Sequence, residues 1–238
     1  MAMTLPGELV WVLDLLGFEW PQLDEDAINQ AAHIMRQFED DLNSAIDAAD
    51  ANVQDAYASV TGSFAKAHAD AWDEERSGSM RQLSDLIGPA ATGVDLFADA
   101  VVALKLKVIA ELVITAAQIA VAIASAVVTF GAGAAVQAVI LVARKKAIDI
   151  VTDLMIDAAV GQILELVMDP LLSIAEPLIE ATMDLPVVQG AVGEAEALIL
   201  DLQALDRASS GMEATGDDVD SLGQEFVAQI MSLQFSTA

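Results

Sequence analysis

Residues 24–60 read DEDAINQAAHIMRQFEDDLNSAIDAADANVQDAYASV, and this stretch decides the fold. Apolar side chains return every three or four positions, at Ile28, Ala31, Met35, Phe38, Leu42, Ala45, Ala49, Val53, Ala56 and Val60. That interval follows the turn of an α-helix and not the two-residue alternation of a strand. Asn29, Arg36, Gln37, Asp40, Asp41, Asp47, Asp50 and Gln54 fill the positions between, so one face seeks a partner helix while the other is solvated. Asp24-Glu25-Asp26 places negative charge where the dipole of the new helix is positive.

Thr61-Gly62 ends the stripe, and Ser63 is suited to cap a second helix carrying Phe64, Ala67, Ala71, Trp72, Leu83 and Leu86. Gly88-Pro89 is expected to stop that helix, which makes residues 24–87 a helical hairpin. Upstream, Leu9, Val12, Leu13 and Leu16 fall at helical spacing after Pro6, and Gly17 fits a left-handed cap. Phe18, Trp20 and Pro21 then form an apolar elbow.

Downstream, a third helix is expected from about Ala90, and between Leu112 and Ala143 the chain carries no charge. Gly131 and Gly133 weaken the middle of that run, each by about 1 kcal/mol relative to Ala in a helix. Amphipathic spacing resumes through Ile148, Val151, Leu154, Ala158, Ile163 and Val167, and Pro170, Pro177 and Pro186 cut the next stretch into short helical pieces. Two more helices are expected near Val192–Ala208 and Val219–Leu233, separated by the acidic, glycine-bearing segment Ser209–Asp220.

The expected fold is therefore all-α. It is an elongated multi-helix bundle built on the long hairpin, with a very apolar central helix. Its 238 residues are read as one domain. Within it lie the short helix and Trp-Pro elbow of 1–23, the hairpin of 24–87, the apolar helices of 90–168, and the short helices and acidic segment of 171–238.

Composition narrows the function. A formal charge of −27 repels phosphates, and the basic clusters Lys105/Lys107 and Arg144-Lys145-Lys146 flank the apolar run without interleaved aromatics, so no nucleic acid is expected as partner. The absence of cysteine excludes disulfides and thiolate metal sites. The N-terminus has no positive n-region or small-residue cleavage site, so a protein leaving the cytoplasm for the exterior or cell surface would use a Sec-independent route.

Catalytic sets do not assemble. His33 and His68 lack a second ligand at helical spacing, which leaves them surface or packing residues. Asp218, Asp220 and Gly223 suggest a calcium loop only faintly, since the position needing Glu is Gln229, and a mobile acidic turn is the simpler expectation. Ser63-Phe64-Ala65-Lys66 lacks the companion elements of the penicillin-recognising enzymes, and Gly131-Ala132-Gly133 lacks the third glycine of a dinucleotide loop. Glu39-Asp40-Asp41 lies on the solvated face, without the pocket a general acid needs. No enzyme and no cofactor are expected.

Leu5-Pro6-Gly7-Glu8-Leu9-Val10-Trp11-Val12-Leu13-Asp14-Leu15-Leu16-Gly17-Phe18-Glu19-Trp20-Pro21, followed by Asp24-Glu25-Asp26 and the long hairpin, resembles the WXG-like N-terminal module of actinobacterial polymorphic toxins, the CpnT-like channel-protein N-terminal domain family. The resemblance is strongest over residues 5–60 and looser to about 208. It implies a module of type VII (ESX) secretion that normally precedes a toxin domain, and some such modules have been proposed to form channels. No toxin domain follows residue 238, so an excised module or a stand-alone relative is expected. Where such hairpins turn on Trp-x-Gly, this chain has Val60-Thr61-Gly62, and the one tyrosine, Tyr57, is followed four residues later by Thr61 instead of an acid.

From the resemblance and the stripe, a partner or secretion interface is expected at Trp11, Trp20, Pro21, Phe38, Leu42, Val53, Tyr57, Gly62 and Trp72. The expected partner is a small WXG-type protein or the secretion machinery, with a homo-oligomer as a further expectation. The alternative is a channel-forming or membrane-active protein that inserts residues 112–143, with Leu112, Ile119, Ile123 and Phe130 on the inserting segment. Leu112–Phe130 approaches the roughly 30 Å of a hydrocarbon core, whereas Ala134–Ala143 is about half of what a second crossing needs. Helices apolar on all sides also occur at the centre of soluble bundles.

Overall fold

Pro6 begins the first ordered turn because its fixed φ suits a helix start and its missing N–H costs nothing there. Its carbonyl accepts the Leu9 N–H at 2.9 Å, closing the 3-10 turn Gly7–Leu9 that feeds helix α1, Val10–Leu16. Gly17 ends α1 in the left-handed region at φ 74°, its N–H donating to the carbonyls of Leu13 and Asp14. Leu9, Val12, Leu13 and Leu16 are all buried, as their spacing predicts.

These elements belong to a computed structural model that describes residues 2–17, 19–58, 60–61, 72, 80–126, 140–142, 199–200 and 202–236. Helix α2 spans Glu25–Ala58, α3 Arg81–Ala126 and α4 Leu202–Ser232. Two-residue strands β1 (Val60–Thr61) and β2 (Ile199–Leu200) pair antiparallel, with Val60 opposite Leu200. The all-α class holds, with this small ladder as an addition.

The chain divides into two compact units. The first comprises Met1–Gln30, Gly93–Glu165 and Gln234–Ala238. Its core gathers the buried face of α1 around Leu112 of α3, with Val108, Ile109 and Ala116 of α3 and Trp20 packed against it. A second cluster joins Ile28 of α2 to Ala98 and Val101 of α3. Asp24 caps α2 by accepting the Ala27 N–H at 3.0 Å, and its own N–H reaches the Phe235 carbonyl at 3.0 Å beside a bridge from Leu23 to Ser236.

The second unit comprises Ala31–Thr92 and Leu166–Leu233. Along α2 it buries Ala31, Leu42, Ala45, Ala49 and Val53 of the expected stripe, together with Ala32, Ile34 and Ile46 beside them. Phe38 stacks on Phe226 of α4 with ring centroids 4.6 Å apart.

Three expectations are corrected. Gly88-Pro89 does not stop a helix: α3 runs through it. Pro89 and Asp85, whose carbonyl it deprives of a donor, are both exposed residues, and the Thr92 hydroxyl donates to the Gly88 carbonyl at 3.0 Å. A Cβ on Gly88 would come within 2.9 Å of the Glu39 carboxylate, so the glycine serves a close side-chain approach. Nor does Ser209–Asp220 separate two helices, because α4 is continuous across it. There Asn52 of α2 donates to the Thr215 hydroxyl at 3.3 Å, Thr215 donates back to the Gly211 carbonyl at 2.9 Å, and Asn52 fills the space a Gly211 side chain would take. For the same reason Asp218, Asp220 and Gly223 lie on a helix and not in an acidic turn. The expectations for Gly131, Gly133 and residues 144–198 lie outside the described residues, as do residues 63–71 and 73–79 of the hairpin's second arm.

Candidate functional site: a buried lysine node and two-faced helices

Lys105 sits on α3 at the register of Val101 and Leu112, four before and seven after it, and therefore on the helix face that enters the core of the first unit. Its side chain is fully buried. A buried ammonium is tolerated only when each N–H finds an acceptor. Here all three do: the Glu25 carboxylate at 2.5 Å, the Leu23 carbonyl at 2.6 Å and the Met3 carbonyl at 3.1 Å. The other Glu25 oxygen accepts the Met3 N–H, and the Trp20 ring lies 5.9 Å from the ammonium.

Burial alone would raise the Glu25 carboxyl, but the hydrogen bonds from Lys105 and the Met3 N–H outweigh it and hold the group below its ordinary value. The node thus ties two stretches to one helix distant in sequence: the chain at Met3, and the end of the elbow with the start of α2 at Leu23 and Glu25.

Helix α3, which carries the node, and α1, which packs beside it, are apolar on their outer faces as well. On α1, Val10, Trp11 and Leu15 are exposed, Trp11 by 49%. On α3, Leu106, Val113, Ile114 and Val121 are exposed at i, i+7, i+8 and i+15, along a length with Glu111 as the last acid. Single exposed apolar residues need no explanation, but a continuous row at helical spacing does.

The expected interface residues are distributed unequally. Trp11 is outward, Trp20 and Pro21 are partly buried at the elbow, and Leu42 and Val53 lie in the core of the second unit. Phe38 is partly buried against Phe226, on a shallow groove that also presents Gln37, Asp41, Glu225 and Gln229. Tyr57 is partly buried, and the Trp72 indole donates to Asp50 at 3.0 Å, a carboxylate that also faces Arg81 at 3.6 Å. Gly62 lies outside the described residues. On the apolar segment Leu112 and Ile119 are buried, Ile123 is described by its backbone alone, and Phe130 lies outside.

Among the described residues no group of histidines and carboxylates could hold a metal, and no helix is long and apolar enough to cross a membrane. Reasoning from sequence placed Lys105 among basic residues flanking the apolar run and Glu25 among dipole-complementing acids, and so missed their pairing. The signal lay in the register of Lys105 with Val101 and Leu112.

No curated protein and no solved structure matches the chain. The family model of the WXG100-like domain matches residues 6–146, which contain α1, the elbow, α2 and α3 with the Lys105–Glu25 pair. That span is more than half of the chain, which belongs to the WXG100-like domain family of helical, type VII secretion-related proteins.

Proposed function

We propose that the chain is the secretion-targeting and partner-docking module of a polymorphic-toxin-like protein exported by a type VII system, and that it acts without catalysis. The observation that carries this reading is the outward apolar row of α3, Leu106, Val113, Ile114 and Val121, on a protein whose formal charge is −27. Such a charge keeps the surface solvated and self-repelling, so an uncharged helical stripe marks where another helix is accepted. WXG100 proteins typically pair with partner proteins, and the small WXG-type partner expected from the sequence fits a stripe of this kind.

Export from an ESX-competent host should cease when the ATPase of the system is deleted. Unchanged export would refute the proposal. Co-expression with small WXG-type proteins from the same host, followed by pull-down, identifies the partner.

A membrane-active role draws on the same uncharged stretch and would show as dye release from liposomes. Among the described residues no helix is long and apolar enough to cross a membrane.

A further inference from the structure

We infer that residues 3–17 and 19–23 form a displaceable strap that occupies, within the chain, the side of α3 that a partner helix would otherwise take. Both ends of the strap meet one group: the Met3 and Leu23 carbonyls each accept a hydrogen bond from the Lys105 ammonium. Between those ends, the turn Gly7–Leu9 and α1 lay Leu9, Val12, Leu13 and Leu16 on the core around Leu112, where Val108, Ile109 and Ala116 of α3 also pack. The cover is itself a helix with apolar residues at i, i+3, i+4 and i+7. The chemistry that fits this side of α3 is therefore that of an amphipathic helix with the same spacing.

The opposite side of α3 is already exposed at Leu106, Val113, Ile114 and Val121. Lifting the strap leaves the helix apolar around its girth from Leu106 to Val121, apart from Lys107, Glu111, Thr115 and Gln118. A helix of that kind is stable only when covered again. The fastening is polar and concentrated at Lys105 and Glu25, so loss of one partner strands the other in the core and weakens both ends at once.

This inference rests on the docking reading above, but its test does not use export. The sequence has no cysteine, so one introduced thiol reports one place in the full chain. Leu112→Cys reports the surface beneath the strap, and Ile46→Cys reports the core of the second unit. Lys105→Met should speed labelling of Leu112→Cys by about tenfold or more while leaving Ile46→Cys within about twofold, the pattern of a local opening. Equal acceleration at both sites, or none at Leu112→Cys, overturns the strap.

If Lys105→Met does not fold, hydrogen exchange of the unaltered protein decides. Amides of Leu13, Leu16 and Gly17 should exchange through one shared opening reached at lower denaturant than that of Ile46 and Ala49. Exchange of all five only on global unfolding overturns the strap. ATPase-independent export would instead overturn the secretion reading and leave these results standing.

Discussion

The Nζ of Lys105 lies 2.5 Å from Oε2 of Glu25, 80 residues apart in sequence and both buried. Replacing such a pair by apolar residues of similar size is often neutral, but removing one member leaves an uncompensated charge. Lys105→Met alone should destabilise the first unit by about 3–5 kcal/mol in denaturant unfolding. Lys105→Met with Glu25→Leu should recover a large part of that loss. A double variant no more stable than the single one would show that the carbonyls of Met3 and Leu23, and not the carboxylate, dominate the node.

Acid should act through the same carboxylate. Glu25 is held below its ordinary value of 4.5, so the native state binds its proton less readily than the unfolded chain does. Its stabilising contribution is complete above that ordinary value and is lost as pH falls through the lower native one. Unfolding followed by tryptophan fluorescence, with Trp11 and Trp20 in the first unit, should show wild-type stability falling below about pH 4.5. Glu25→Gln should start less stable and show a shallower fall. Equal slopes in the two proteins would assign the acid response to other carboxylates.

Two glycines that look alike in sequence should differ. At Gly88 an added methyl meets the end of the flexible Glu39 side chain, which can swing aside. Gly88→Ala should therefore be neutral, or stabilising by up to about 1 kcal/mol through helix propensity. At Gly211 the methyl would sit 2.5 Å from Asn52 Oδ1, and Asn52 is held by its bond to Thr215. Gly211→Ala should cost about 1–3 kcal/mol by overpacking, measurable as a lowered denaturation midpoint.

Those glycines also show where sequence reasoning reached its limit. Periodicity located the buried face of α1 residue by residue, because Leu9, Val12, Leu13 and Leu16 have one neighbouring helix surface to satisfy. On α2 it found most of the stripe but passed over Ile34 and Ile46, since a helix packed on a broad front buries more than one row. Gly88-Pro89 and the glycine-bearing segment Ser209–Asp220 read as breaks from local propensity, yet α3 and α4 run through them, and at Gly211 the close approach of Asn52 takes the place of a side chain. The node was hidden for a related reason. Local charge suggested a flanking lysine and a helix-start acid, and the long-range approach that pairs Lys105 with Glu25 has no local signature. The outer row of α3 was legible as uncharged, but only the fold shows that it faces outward.

The two faces of α1 give the clearest separation of folding from docking. Leu13 is buried, and Leu13→Ala should cost about 2–5 kcal/mol through lost burial and the cavity left behind. Trp11 and Leu15 lie outward, so Trp11→Gln with Leu15→Gln should leave the unfolding midpoint within about 0.5 kcal/mol of wild type. If that face belongs to the partner surface, the double variant should lose pull-down of a small WXG-type partner while keeping its helical content by circular dichroism. A double variant that folds normally and still captures the partner at wild-type strength would exclude α1 from the docking surface and leave it to the outer row of α3 alone.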